Sequence, residues 1–194
     1  MRIAASEYRN LDLWAHSFLR DVPLHDAFAI DLPGGGRGRT MNDIRALLPA
    51  DSGITANPVV AALFKFRFFA GRILGWDTQA HRWEGHSYVH RLDAADRANS
   101  LATPGVPDGP FRVLRLLPRE SVSEIQNATV HAFLCQALRE SDTGYRYYWG
   151  VYVKPVSRFT PLYMALIKPF RHLVVYPLIL RGLKKAWMRK YGEA

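Results

Sequence analysis

Cysteine is nearly absent from the 194-residue sequence, where Cys135 is the single example. One cysteine cannot form a disulfide within the chain and cannot build a zinc site from cysteine ligands. On a predicted strand, Cys135 and His131 lie four residues apart, which is about 13 Å and too far for proton transfer. We therefore interpret Cys135 as a small core residue rather than a nucleophile.

Long uncharged runs are also missing. The apolar run near the N-terminus covers only residues 3–5, which is too short for a secretory signal. The most apolar long segment, residues 159–180, contains Lys168, Arg171 and His172 near its middle. A membrane-spanning helix needs roughly 20 apolar residues with few charges. These two absences predict a cytoplasmic protein without a membrane span.

Acidic residues are too few to balance the basic ones: 17 Asp and Glu stand against 26 Lys and Arg, for a net charge of +9. Such a surplus favours anionic partners. Nucleic acid is not expected among them, because the basic residues are spread out and no recognition motif occurs. A basic cluster beside Trp187 fits a solvated last turn whose apolar side packs on the sheet, and it could also dock on an anionic membrane surface. This basic cluster consists of Arg181, Lys184, Lys185, Arg189 and Lys190.

The composition is that of a folded domain, with 48% hydrophobic and 22% charged residues. The length suits a single domain over residues 1–194. Within it, residues 1–22 form an N-terminal flank. Residues 76–110 form an irregular segment that could act as a lid over a cavity.

Local patterns predict the secondary structure. Alternating apolar residues predict a strand over residues 25–32, and Thr40 with Asp43 forms the capping-box pattern of a short helix. Helices are predicted over residues 41–48, 59–74 and 93–97. Four strands are predicted over residues 111–117, 121–126, 129–138 and 145–153. Their short joints favour antiparallel hairpins, because a parallel pair needs a long crossover.

A helical region from Thr160 to about Lys190 follows, and Pro169 and Pro177 are expected to kink or split it. Strands and helices are segregated along the sequence, which indicates an α+β fold. Aromatic residues occupy both faces of the last strand, so we expect neither face of the sheet to be fully solvated. A curved antiparallel sheet wrapped around the C-terminal helix, the helix-grip, fits this order and leaves a cavity between sheet and helix.

Four segments resemble a bacterial family known only as domain of unknown function 2867. They are HDAFAIDL, VVAALFKFRFFAGRILGWD, GPFRVLRLLPRESVSEIQNATVHAFL and GYRYYWGVYVKPVSRFTPLYMALIKPFRHLVVYPLI. The most specific is the last, where a strand leads into Ile-Lys-Pro-Phe-Arg-His over residues 167–172. The resemblance implies a relation to the START/Bet v 1-like superfamily of the polyketide cyclase (SRPBCC) type. That relation implies a helix-grip that binds apolar or amphipathic molecules, as most members do, with cyclases and hydrolases among the others.

A ligand cavity is mostly apolar and has a few placed polar groups. The candidates for these groups are His131, Glu124, Tyr148 and Tyr152 on the predicted strands and Tyr163 on the C-terminal helix. The alternative is a set of cross-strand surface pairs with one hydrogen-bonded buried histidine. No catalytic residue is assigned, although His131 and Glu124 would be the acid–base groups of an enzyme.

The glycine-rich loop of residues 34–40 precedes a helix start. Its backbone amides, together with Arg37 and Arg39, could bind an anion. The loop lacks the Gly-Lys-Ser/Thr of a phosphate-binding loop, and a flexible turn is the alternative.

A second cluster contains His81, Glu84, His86 and His90. Gly85 interrupts any helix there and no HExxH pattern occurs, so we interpret these residues as solvated loop side chains. We predict no metal site and no cofactor.

The sequence therefore predicts one α+β helix-grip domain that binds a small hydrophobic or amphipathic ligand in an internal cavity. Two alternatives stay open. One is an enzyme of the cyclase or hydrolase type that uses the same cavity, and the other is a peripheral membrane or lipid-handling protein.

Overall fold

A computed structural model describes residues 1–48, 86–126, 130–156 and 160–192, without the side chains of Leu162 and Tyr163. The predicted helix over residues 59–74 lies outside these residues, as do His81 and Glu84. The described helices are α1 (Ala5–Arg9), α2 (Trp14–Phe18), α3 (Met41–Leu47), a 3-10 helix (Tyr88–Arg91), α4 (Ala94–Ala98), α5 (Thr160–Phe170), a π-helical turn (Arg171–Val175) and α6 (Tyr176–Tyr191). The strands are β1 (Leu24–Pro33), β2 (Pro107–Asp108), β3 (Phe111–Leu116), β4 (Glu120–Gln126), β5 (Val130–Ser141) and β6 (Gly144–Pro155).

The strands form one antiparallel sheet in the order β1-β6-β5-β4-β3-β2. The α+β class and the antiparallel hairpins are thus confirmed. β5 and β6 extend beyond their predicted ends, because Ser141 pairs directly with Gly144 and the hairpin turn is only two residues long. The predicted helix start at Thr40 is also confirmed, since the Thr40 amide donates to Asp43 Oδ2 at 2.8 Å.

One side of the sheet, here called the C-terminal face, packs against α5, α6 and the π-helical turn. Its side chains include Phe28, Leu134, Leu138, Tyr147, Trp149 and Val151. On the helical side, α6 buries a stripe at helical spacing, made of Tyr176, Leu180, Leu183 and Trp187. The two sets form one hydrophobic cluster.

The opposite side, here called the N-terminal face, is covered by α1, α2 and the 3-10 helix. Its cluster includes Tyr8, Leu19, Tyr88, Phe133, Cys135, Tyr148 and Tyr152. Cys135 is fully buried there, which confirms it as a core residue. Both faces of the sheet are therefore covered, as the aromatic residues of the last strand predict.

The predicted break in the C-terminal helix takes the form of a π-helical turn between Pro169 and Pro177. The Tyr176 amide donates to the Arg171 carbonyl, five residues back. Pro177 has no amide proton and cannot continue the ordinary pattern. The helical region continues through this turn into α6. In the described residues, no helix is long and apolar enough to span a bilayer.

Candidate functional site

The candidate site begins at a β-bulge in β1. Leu24 pairs with Tyr152, whereas Asp26 pairs with Val151, so His25 is the extra residue. An extra residue reverses the alternation of side chains. Leu24 consequently packs on the N-terminal face, and the Asp26 carboxylate points to the C-terminal face among the helices.

Asp26 is held by three side chains of the C-terminal helical region. His172 Nε2 lies 2.6 Å from Asp26 Oδ1, and Arg171 Nη1 lies 3.3 Å from Asp26 Oδ2. The Tyr176 hydroxyl donates to Oδ2 at 3.3 Å. The Asp26 side chain is only 1% exposed, so this is a buried ionic cluster that fastens the first strand to the π-helical turn.

The charges in this cluster set the protonation of Asp26. Burial by itself raises the pKa of the Asp26 carboxyl, but hydrogen bonding from His25 and the positive charges of Arg171 and His172 outweigh it and lower the pKa to about 2. Burial raises the pKa of the Tyr176 hydroxyl. At neutral pH, Asp26 is therefore a carboxylate and Tyr176 a neutral donor.

Next to this cluster, several polar atoms are buried without a hydrogen-bond partner among the described residues. They are Arg171 Nε, Arg171 Nη2, Trp149 Nε1, Tyr147 Oη and Gln136 Oε1. Tyr147 is fully buried, and Trp149 and Gln136 are 7% and 8% exposed. Such atoms are rare in folded proteins, where buried polar groups nearly always have a protein or water partner.

The sheet register brings these atoms to one region of the C-terminal face. Trp149 lies between Phe28 on β1 and Gln136 on β5, and Tyr147 occupies the next position on the same side of β6. The rings of Trp149 and Tyr176 have centroids 6.2 Å apart, which connects the sheet to the Asp26 cluster. We call Asp26, Gln136, Tyr147, Trp149, Arg171, His172 and Tyr176 the polar site.

The polar site is rich in hydrogen-bond donors. The unpartnered atoms of Arg171 and Trp149 can only donate, and the Tyr147 hydroxyl can donate or accept. A molecule with oxygen acceptors would satisfy them. The His172–Asp26 pair also has the arrangement in which a carboxylate orients an imidazole for proton transfer.

The predicted pair His131 and Glu124 does come together, but on the N-terminal face. His131 Nε2 lies 2.8 Å from Glu124 Oε2, and the carboxylate also accepts from the Ser87 hydroxyl and, at 3.0 Å, from the Tyr88 amide. These hydrogen bonds lower the pKa of Glu124 even though burial opposes them. Gln126 Nε2 lies 2.8 Å from His131 Nε2. Every polar group named here has a partner, as in a structural cluster.

The other predicted ligand residues are divided between the two sides. Tyr148 and Tyr152 share the N-terminal face with His131, and the Tyr152 hydroxyl lies 2.8 Å from His16 Nδ1. Tyr163 lies in α5, and its side chain is outside the described residues. The structure brings the four strand residues to one face of the sheet, and ligand binding by the five residues stays a prediction.

The glycine-rich loop is held against the end of α6. The Gly35 amide donates to the Tyr191 carbonyl at 3.1 Å. Arg39 Nε donates to the Gly35 carbonyl at 2.6 Å, and Arg39 Nη1 lies 3.5 Å from Asp43 Oδ1. Arg37 is exposed and lines a surface pocket of about 750 Å³, together with the acidic residues Glu140 and Asp142. Anion binding by Arg37 and Arg39 stays a prediction, and in this geometry the Arg39 guanidinium is already occupied.

Sequence reasoning missed most of the polar site. Asp26 is separated from His172 by 146 residues, and no local pattern connects them. Gln136, Tyr147 and Trp149 sit at core positions of strands and resemble ordinary packing residues. The one available signal was the Arg-His pair between two prolines at residues 169–177.

Comparison with protein families gives a match to most of the chain. A family model described as "Protein of unknown function (DUF2867)" matches residues 18–178. The matched segment contains the whole polar site and ends before the basic cluster of α6. Comparisons with curated proteins and with solved structures give no match to the chain.

Proposed function

The chain belongs to the family described as Protein of unknown function (DUF2867), and we propose that it binds a small amphipathic molecule between the C-terminal face of the sheet and the C-terminal helices. The oxygen-bearing end of the molecule would meet the polar site. Its apolar part would lie against the surrounding hydrophobic cluster, which includes Phe28, Leu134, Val151 and Met164.

The unpartnered atoms of the polar site carry this proposal. A buried polar group without a partner costs about 1–3 kcal/mol. Several such atoms in one region are difficult to retain unless a bound molecule or water completes their hydrogen bonds. Because most of them are donors, the expected ligand presents carbonyl, carboxylate or ether oxygens.

The architecture supports the same function. An antiparallel sheet packed against a C-terminal helix is the arrangement of the START/Bet v 1-like helix-grip superfamily, which the sequence resembles. Most members of that superfamily bind apolar or amphipathic molecules, and they do so between sheet and helix. We infer a helix-grip for this chain on that basis.

Two tyrosines on the same face of β6 provide a matched test. Tyr147→Phe removes an unpartnered hydroxyl, whereas Tyr145→Phe removes one that accepts from the Arg39 amide at 3.0 Å and donates to the Gly36 carbonyl at 2.9 Å. The probe is cis-parinaric acid, a fatty acid whose fluorescence rises when it is enclosed. Titration should show saturable binding to the wild-type protein.

We expect Tyr147→Phe to weaken binding of the probe by about three- to tenfold, the value of one hydrogen bond. It should leave the unfolding free energy of the ligand-free protein unchanged or higher. Tyr145→Phe should do the reverse, with binding within twofold of wild type and a loss of about 1 kcal/mol in stability. No saturable binding, or equal binding by both variants, would refute the proposal.

A second function is favoured by the His172–Asp26 pair, which adjoins the unpartnered atoms. We propose as the alternative that the polar site catalyses a proton transfer of the cyclase or hydrolase type, with His172 as the acid–base group. Native mass spectrometry of wild-type protein and of His172→Gln, purified from the same host, distinguishes the two functions. A protein that only binds retains the same molecule in both cases. A hydrolase, or a cyclase that eliminates water, retains its product in the wild type and its unconverted substrate in His172→Gln, and the two differ in mass.

A further inference from the structure

The outer side of the C-terminal helical region presents exposed apolar side chains. Leu166, Leu173 and Leu178 are 68%, 77% and 37% exposed, and Met188 is 42% exposed. Leu178 and Met188 project away from the sheet, because the side of α6 that faces the sheet is the buried one. Leu166 and Leu173 lie on α5 and on the π-helical turn, and both are exposed. Four of the seven large hydrophobic residues that are exposed in the described part of the chain lie in this single region. This concentration forms a patch, unlike the isolated exposed residues found on most proteins.

The same region is basic and lacks acidic residues. Residues 160–192 contain seven Lys and Arg and no Asp or Glu. The basic cluster of α6 is exposed, and no member of it forms an ion pair with any described residue. Elsewhere, Arg115, Arg119 and Arg146 each pair with a carboxylate. The α6 cations are thus available to an external anion.

From this combination we propose that the outer side of α5 and α6 docks on the surface of an anionic lipid bilayer. The exposed leucines would enter the boundary between headgroups and acyl chains, and the basic cluster would contact the anionic headgroups. The buried stripe of α6 fixes this helix to the sheet. The docking surface is therefore already formed and does not need to fold on binding.

Charge complementarity selects the bilayer as the partner. The leucines precede most of the cations along the exposed side of the helical region, so apolar and basic groups lie next to each other on one surface. A bilayer interface offers both an apolar interior and a negative surface within a few ångströms. An acidic protein would satisfy the cations but would leave Leu166 and Leu173 in water.

Co-sedimentation with vesicles tests the proposal on the full chain. The vesicles are pure phosphatidylcholine or an equimolar mixture of phosphatidylcholine and phosphatidylglycerol. We expect binding to the mixed vesicles that weakens as salt is added, and little binding to the neutral ones. Equal binding to both, or binding to neither, would overturn the proposal.

Matched variants separate the docking surface from net charge. Lys184→Glu with Lys185→Glu should weaken binding to the mixed vesicles by about tenfold or more. Arg9→Glu with Arg20→Glu makes the same charge change on exposed residues beside the N-terminal face, and should weaken binding by less than about threefold. Equal losses in the two pairs would mean that only net charge acts, and would refute a docking surface.

The apolar contribution has its own pair of variants. Leu166→Asn with Leu173→Asn should weaken vesicle binding by about tenfold, whereas Leu101→Asn, at a residue 55% exposed elsewhere, should not change it. Circular dichroism checks that the fold is retained. If sedimentation velocity instead shows a dimer that the leucine pair dissociates, and vesicles are not bound, the patch is a self-association surface and the proposal is wrong.

Discussion

His172 and Asp26 are 146 residues apart in the sequence, and their Nε2 and Oδ1 atoms lie 2.6 Å apart. The contact lies beside two irregularities, one in each element. The bulge at His25 separates Asp26, which shares the C-terminal face with Phe28, from Leu24 on the opposite face, and the π-helical turn contains Arg171 and His172. Bulges and π-helical turns often occur at functional sites, since both redirect side chains without ending the element.

Removing the charge of Asp26 should destabilise the protein at neutral pH. Asp26→Asn keeps the shape of the side chain but leaves Arg171, whose side chain is 12% exposed, without its counter-charge. We expect a loss of about 3 kcal/mol in the unfolding free energy, measured by urea denaturation at pH 7. Asp31→Asn on the same strand is the control, because Asp31 is 62% exposed and its pairing with Arg146 is worth less than about 1 kcal/mol.

The contribution of the Asp26 cluster to the stability of the fold should also decrease in acid. The folded pKa of Asp26, about 2, lies below the ordinary value of 3.8, so its stabilisation is complete above pH 4 and is lost as the pH falls towards 2. The stability difference between wild type and Asp26→Asn should therefore shrink as the pH falls from 4 to 2. A difference that stays constant down to pH 2 would contradict the assigned ion pairs.

Local patterns were sufficient to predict most of the elements. The alternation of residues 25–32 and the Thr40–Asp43 cap are short-range features, and the structure has both. Residues 1–22 were predicted only as a flank, because α1 and α2 are five residues each and too short for a helical period to be recognised. In the structure, they cover the N-terminal face of the sheet together with the 3-10 helix.

The polar site could not be predicted in the same way, because it depends on contacts between distant residues. Alternation predicted that Tyr147 and Trp149 share a face, but it could not show that their polar atoms lack partners. The prolines at 169 and 177 predicted an irregularity, but not that a π-helical turn would place His172 over Asp26. The sequence correctly predicts that His131 and Glu124 lie on adjacent strands. It does not predict which face of the sheet they occupy, because that depends on the strand register.

Adding a methyl group at Gly35 should lower the unfolding free energy much more than adding one at Gly38. Both glycines have a positive φ, 92° and 83°, but a Cβ at Gly35 would lie 2.6 Å from Cζ2 of the buried Trp187, while a Cβ at Gly38 meets nothing within 4 Å. We expect Gly38→Ala to lose about 1 kcal/mol and Gly35→Ala at least about 2 kcal/mol more, measured by thermal and urea denaturation. Equal losses would mean that the loop does not pack on α6 as described.

The Glu124–His131 cluster should contribute to stability and not to ligand binding. Glu124→Gln removes a carboxylate that accepts from Ser87, Tyr88 and His131, so we expect a loss of about 1–3 kcal/mol in the unfolding free energy at pH 7. Because hydrogen bonding lowers the pKa of Glu124, this contribution is present at neutral pH and is lost on acidification.

The control for Glu124→Gln is Glu140→Gln, since Glu140 is 58% exposed and its pairing with Arg119 should be worth less than about 1 kcal/mol. Titration with cis-parinaric acid at a temperature where both variants are folded then separates structure from function. Unchanged affinity in Glu124→Gln assigns the cluster to the core of the N-terminal face. An affinity reduced tenfold with little loss of stability would instead move the ligand site to that face, and to the His131–Glu124 pair that the sequence predicts as ligand-binding residues.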